Sequence, residues 1–174
     1  MKALFALSLS IGVVADAQAT DSARVDSGPR TPVRVVAPCV VARIVDGDTI
    51  RCRAQGLVRL IGIDAPEPEQ RPFGESAKAA LSDILSAGDT VQLERDVEER
   101  DRYGRLLAYV WRRGVMLNWT MTRGGWAVIL TYPPNVQWAE YFLAAQERAR
   151  AEKRGLWAVG GFNCRPVDRR RRRC

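Results

Sequence analysis

Two turn signals in quick succession constrain the fold more than anything else in the chain. In "RIVDGDTIRC", residues 43–52, Asp46-Gly47 separates two runs of alternating apolar residues, and Gln55-Gly56 follows before the apolar run "VRLIGI". Asp and Gly tolerate the positive φ angles of a tight hairpin turn, so strands over residues 40–45 and 49–53 are expected to run antiparallel. A third strand over 58–63 then folds back beside them. The turn accounts for Asp46 and leaves Asp48 unexplained.

The rest of the chain supplies the elements that cover such a meander. Pro66, Pro68 and Pro72 make a loop. Ala77, Ala80, Leu81, Ile84 and Leu85 recur at helical spacing, with Gly88 placed as a stop. Residues 90–97 and 105–111 read as strands four and five, joined by the charged loop "EERDRYG". A short helix over 117–123 ends at Gly124-Gly125, and beyond Pro133-Pro134 a longer one carries Trp138, Phe142, Ala145 and Ala149 on one stripe, with Gly155 at its end. The expected fold is α+β: a five-stranded OB-fold β-barrel with three α-helices.

The formal net charge is +7, and its location decides its meaning. In residues 1–19, Lys2, an apolar run and Ala17-Gln18-Ala19 have the order of a secretory signal peptide. The run is too short to span a bilayer, so the expectation is a protein without a membrane anchor, secreted or periplasmic after cleavage near Ala19. Residues 20–38 read as a linker and 39–163 as the domain. Residues 164–174 form an Arg-rich tail, with +5 of the charge within "RPVDRRRRRC". The tail reads as a solvated end or as a polyanion tether, and in neither case as part of the catalytic apparatus.

Cys39, Cys52, Cys164 and Cys174 include no C-x-x-C pair, which argues against a zinc cluster and, outside the cytoplasm, for a disulfide. Alternation with Ile50 suggests a core thiol at Cys52 and favours pairing Cys39 with Cys164 over Cys174, although four cysteines allow three full pairings and the sequence does not choose among them. The chain has no histidine, which excludes a His base, Ser/His and Cys/His couples and His-ligated metals.

Alternation from Asp48 through Ile50 to Cys52 turns the Asp48 carboxylate inward. Asp64 ends the apolar run Leu60-Ile61-Gly62-Ile63 and is expected to be buried too. Two buried acids at the ends of neighbouring strands repel unless positive charge lies between them, and one hard, oxygen-ligated cation such as Ca²⁺ or Mg²⁺ supplies it. The blander alternative has Asp48 capping the turn and Asp64 accepting backbone N–H groups. Glu67, just past the Ala65-Pro66 turn, is placed to draw a proton from an attacking water. Arg59 and Arg105 are planar, permanently charged forks suited to a phosphodiester whose charge rises during in-line attack; otherwise they are ordinary ion-pair partners. Strict alternation puts Arg59 on the face opposite Asp64, so their convergence requires a bend near Gly62.

"VDGDTI", "VRLIGIDAPE" and "DRYGRLLAYV", in this order and spacing, resemble the staphylococcal nuclease (thermonuclease) family over residues 39–163. The resemblance implies a Ca²⁺-dependent phosphodiesterase that cleaves DNA and RNA, preferably single-stranded, to 3′-phosphates, acting as a monomer. It implies Asp48, Asp64 and the Ala65 carbonyl as ligands of one Ca²⁺ ion, Arg59 and Arg105 on the phosphate, and Glu67 as the base. Tyr103 matches a nucleotide-contacting position, and "GWAVILTYPP" keeps Tyr132 without a clear second tyrosine for stacking on bases. Ala65 stands where the type enzyme has Thr, and the shortened loop from Glu67 to Gly74 makes Glu69 a rival base. The competing reading is a non-catalytic nucleic-acid-binding OB-fold module, against which the retention of all five charged residues argues. An adhesin or structural protein using only its Arg tail needs no such constellation.

Overall fold

The opening hairpin forms, but its turn is not the expected one. In the computed structural model, which describes residues 28–30, 32 and 37–174, β1 (Ala37–Ile44) and β2 (Thr49–Cys52) pair antiparallel with Ile44 opposite Ile50. Loop 45–48 connects them, closed by the N–H groups of Val45 and Asp46 on the Thr49 carbonyl. Neither Asp46 nor Gly47 takes a positive φ. Gly47 is needed for space instead, since a Cβ there would lie 2.7 Å from the side chains of both Ala65 and Ala77. The leader read at 1–19, and most of the linker read at 20–38, lie outside the described residues.

β3 (Gly56–Leu60) continues the meander with Val58 opposite Ile50. The expected strand over 58–63 then breaks at Ile61-Gly62. The next three residues, β4 (Gly62–Asp64), leave the barrel to pair with β8 (Val128–Leu130) in a separate ribbon, Asp64 opposite Val128. Gly62 has φ +80°, and a Cβ on it would overlap the Phe142 ring, whose burial contributes about 1.5–3 kcal/mol. Asn118, fully buried, holds the break together. Its Nδ2 donates to the Ile61 carbonyl at 2.8 Å and its Oδ1 accepts the Val110 N–H at 2.8 Å, pairing backbone groups that would be unsatisfied in the core.

β5 (Thr90–Glu94) pairs with β1 and with β6 (Leu106–Arg112), which β7 (Val115–Met116) extends. β6 closes the ring by running parallel to β3, Arg59 opposite Leu107. Closure pairs the edges that an open five-stranded sheet would expose. The fold is therefore α+β, a closed five-stranded OB-fold barrel covered by α1 (Phe73–Ile84), α2 (Leu117–Arg123) and α3 (Ala139–Ala151). α1 stops well before Gly88, because Leu85 turns extended and buries, and Gly88 serves the turn that follows. α3 likewise ends before Gly155, with Phe142, Ala145 and Ala149 fully buried along the expected stripe. No helix among the described residues is long and apolar enough to cross a membrane.

Two expectations about the ends of the domain are corrected. Cys39 pairs with Cys52, not with Cys164, at a Cα–Cα separation of 5.5 Å. Both face inward from neighbouring strands, and Cys52 lies opposite Val41, which places Cys39 diagonally across the pair. Cys164 bonds Cys174 instead, at 5.8 Å, because the residues between them fold back. They form a fourth, short helix, α4 (Pro166–Arg170), within the segment read as a solvated tail.

Candidate active site

Each acid at the barrel rim is positioned by its own local geometry. Asp46 Oδ1 accepts the Asp48 N–H at 3.0 Å, so Asp46 caps the loop and frees Asp48 for another task. Asp48 accepts the Thr49 hydroxyl on Oδ1 at 3.0 Å and the Ala65 N–H on Oδ2 at 2.8 Å, tying β2 to the turn after β4. Asp64, the last residue of β4, is fully buried. Nη2 of Arg59 lies 3.0 Å from Asp48 Oδ2 and 3.2 Å from Asp64 Oδ1, and the same guanidinium donates to the Leu60 and Ile63 carbonyls. The break at Ile61-Gly62 removes the alternation conflict by swinging β4 out of the line of β3. Carboxylates from the loop before β2 and from the end of β4 thus converge on one cationic nitrogen.

A second guanidinium reaches the rim from the segment expected to be a solvated tail. Arg170, on α4, donates through Nη2 to both oxygens of Asp64, at 2.9 and 2.8 Å, and through Nη1 to Glu67. Gln70 links the same parts: its Oε1 accepts the Glu67 N–H at 3.0 Å and its Nε2 donates to the Cys164 carbonyl at 3.1 Å. Glu67 therefore shares a guanidinium with Asp64, whereas its rival Glu69 is exposed. Asp46, Gln70 and Arg170 are the site residues that sequence reasoning missed. The available signal for Arg170 was the pair of cysteines flanking the Arg run, whose short spacing closes a local loop.

Electrostatics at the rim favour an added cation. Burial pushes the Asp64 carboxyl above its ordinary range; the Arg170 hydrogen bond and the Arg59 charge oppose the rise, and the charge of Asp48 adds to it. Asp46 is pushed up to about 6, by burial first and by the charge of Asp48 second. The carboxylates of Asp46, Asp48, Asp64 and Glu67 outnumber the guanidiniums of Arg59 and Arg170 around them. An oxygen-rich, net-negative donor set suits a hard divalent cation. Among the described residues no group of three His, Cys, Asp or Glu side chains forms a ready metal cage. Asp48 and Asp64 supply two carboxylates, and a cation there needs backbone carbonyl and water to complete its shell.

The remaining expected residues lie around this centre and not in it. Arg105 Nε pairs with Asp101 Oδ2 at 2.7 Å, in a loop where Asp101 Oδ1 also accepts the Tyr103 and Arg105 N–H groups. The parallel register sets Arg105 two residues before Leu107, the partner of Arg59, and so on the same face of the barrel wall. Tyr103 is 68% exposed, with the guanidinium carbons of Arg102 and Arg105 at 4.8 and 5.6 Å from its ring centre. Tyr132 is also exposed. It lies four residues along from Val128, the partner of Asp64, which is about 13 Å of extended chain. Its bridge partner Asn135 accepts the Val97 and Glu98 N–H groups, so Tyr132 belongs with the loop before β6 and not with the acids.

The fold and rim together define a class of protein: a closed OB-fold barrel with convergent acids and guanidiniums at its edge. A family model described as staphylococcal nuclease homologue matches residues 57–159. The thermonuclease of Staphylococcus hyicus is 36% identical over 126 residues, covering 68% of this chain and 74% of its own length. The SPbeta prophage-derived endonuclease YokF of Bacillus subtilis is 36% identical over 130 residues, covering 69% of this chain and 44% of its own length. An uncharacterized endonuclease of Haemophilus influenzae is 39% identical over 131 residues, covering 69% of this chain and 66% of its own length. The chain belongs to the staphylococcal nuclease family. It spans less than half of YokF and about three-quarters of the Staphylococcus hyicus thermonuclease.

Proposed function

We propose that the protein is a metal-dependent nuclease that hydrolyses phosphodiester bonds of DNA and RNA to 3′-phosphates with little sequence specificity. The observation that carries this reading is the position of Arg59 Nη2 within 3.2 Å of carboxylates from both the loop before β2 and the end of β4. A loop and a strand end that aim acids at one cationic point are suited to hold one Ca²⁺ through Asp48, Asp64 and the Ala65 carbonyl. The bound ion would neutralise the acids and draw charge from the phosphate. Glu67, three residues past Asp64 and sharing the Arg170 guanidinium with it, takes the proton of the attacking water. The P–O5′ bond breaks, and solvent protonates the departing oxygen. Arg59 turns from the acids to the phosphate, Arg105 approaches from the same face of the wall, and both stabilise the charge that builds in the transition state. Tyr103 and Tyr132, both exposed, offer ring faces to unstacked bases, which favours single-stranded substrate.

The reading includes export, with the protein secreted or periplasmic after cleavage near Ala19 and acting as a monomer. In-gel digestion of DNA and RNA by the purified chain, with Ca²⁺ and with chelator, tests the enzyme. Clearing that chelator abolishes is the expected result. Nucleic-acid binding without chelator-sensitive clearing would leave a binding module in its place. N-terminal sequencing of the protein recovered outside the cytoplasm tests the cleavage.

A further inference from the structure

Arg170 engages the acid that the proposed cation needs most. Its Nη2 lies 2.9 and 2.8 Å from the two oxygens of Asp64, and its Nη1 takes Glu67. This geometry is built by a segment with several independent anchors. The Cys164–Cys174 bond closes the loop around α4. Pro166 at the start of α4 is buried. Gln70 holds the Cys164 carbonyl with one end and the Glu67 N–H with the other. Just upstream, Phe162 packs with Leu156 and Val128 in a small second core, which Phe73 of α1 also joins. Asp168 pairs with Arg165 at 2.7 Å and anchors the first turn of α4. A flexible charged tail would need none of these contacts.

We propose that Arg170 is an internal competitor for the divalent cation, held over the site by the disulfide-closed loop 164–174. The inference rests on the metal-site reading above. A cation on Asp64 and a guanidinium hydrogen-bonded to both oxygens of the same carboxylate exclude one another by charge and by space. The apparent affinity of the site for its cation is therefore lowered by the fraction of molecules in which Arg170 is seated. Seating and cation binding are linked reciprocally, so the cation must also expel Arg170 from Asp64. The released guanidinium remains near Glu67 and carries the exposed arginines of the loop with it. The tail so placed is a component of the site and not a detached tether.

The test is calorimetric titration of the whole chain with Ca²⁺, paired with thermal unfolding in metal-free buffer. Arg170→Gln is expected to bind Ca²⁺ about tenfold tighter than the wild type, a typical size for coupling between competing ligands, and to unfold at a lower temperature without metal, because Asp64 loses a partner. A merely structural contact would lower both quantities. Cys164→Ser/Cys174→Ser keeps Arg170 and loosens its loop, and is expected to tighten Ca²⁺ binding by a smaller factor. Equal or weaker binding in Arg170→Gln, in a wild type that binds Ca²⁺, overturns the competition. Tightening in Arg170→Gln with none in the cysteine variant overturns the part assigned to the loop closure. Absence of Ca²⁺ binding in every form overturns the metal-site reading and this inference with it.

Discussion

Glu94 and Asp64 are both carboxylates without exposed surface, and they are held in contrasting ways. Glu94, on β5, accepts N–H groups from Trp111 at 2.7 Å, Gln137 at 2.8 Å and Trp138 at 3.3 Å. The two indoles meet edge-on at 6.1 Å, with Trp111 buried in the core, so the indole donors are part of the packing. Asp64 is instead held by two guanidiniums on long side chains, one from β3 and one from α4. Donors locked by packing keep an acid where it is. Guanidiniums can leave, and another cation can take their place. The contrast separates an acid that belongs to the architecture from one that belongs to the chemistry.

The largest expected difference between the two is catalytic. Asp64→Asn, Arg59→Ala and Arg105→Ala should each lower turnover on DNA by about 10³-fold or more, the range for groups that stabilise transition-state charge. Glu94→Gln should stay within about tenfold per folded molecule, as measured by steady-state kinetics on the native fraction. Equal losses at Glu94 and Asp64 would erase the distinction. Stability should rank them the other way. Glu94→Ala strips the acceptor from the buried Trp111 indole and from the half-buried Trp138, and should cost about 1–3 kcal/mol in urea unfolding. Asp64→Asn in metal-free buffer should cost clearly less, because Arg59 and Arg170 can turn to other acceptors.

Ligand binding offers a middle-sized check. Ca²⁺ at about a hundredfold over its Kd should stabilise the wild type and Glu94→Gln by about 2.7 kcal/mol, and leave Asp48→Asn unmoved in the same thermal assay. Asp48→Ala without metal should cost about 1–3 kcal/mol, because the buried Ala65 N–H loses its acceptor. A gain in stability there would mean that repulsion between the rim acids outweighs that hydrogen bond.

The smallest effect is the response to pH. Asp46 and Asp64 have carboxyls raised chiefly by burial, Asp46 to about 6 from an ordinary 3.8. A raised folded value means that the folded state binds protons more tightly than the unfolded one. The stability this lends is complete below the unfolded value and is lost as pH rises through about 6. Asp89 and Glu152 are lowered, Asp89 by the Ser86 N–H and then Arg112, Glu152 by Arg123. Their contribution is present above the unfolded value and lost as pH falls through the folded one. Metal-free Tm should therefore decline modestly between about pH 5 and about pH 7 in the wild type and decline less in Asp46→Asn. Identical slopes would remove Asp46 from the account.

Much of this contrast was open to inspection before any coordinates. Alternation placed Asp48 in the interior and the apolar run before Asp64 did the same for that residue, and an inward acid at a strand end asks for a cation. Local sequence pattern also produced the errors. It paired Cys39 with a distant partner, although two inward residues on adjacent hairpin strands are each other's neighbours. It assigned the Asp46-Gly47 turn to positive φ, where Gly47 answers to the crowding of Ala65 and Ala77. It carried the third strand through Ile61-Gly62, where Asn118, 57 residues away, accepts the break.

Period and turn chemistry are properties of neighbours in the chain, and they sufficed for the opening hairpin, the inward acids and a five-stranded α+β barrel, whereas its closure through β3 and β6 came from the tertiary structure. The convergence of Arg59 on Asp64 depends on a bend stabilised from α2 and α3. The engagement of Arg170 with Asp64 joins residues 106 apart. Contacts of that separation leave no periodic trace in a sequence, since they arise only when packing has brought distant segments within a few ångströms.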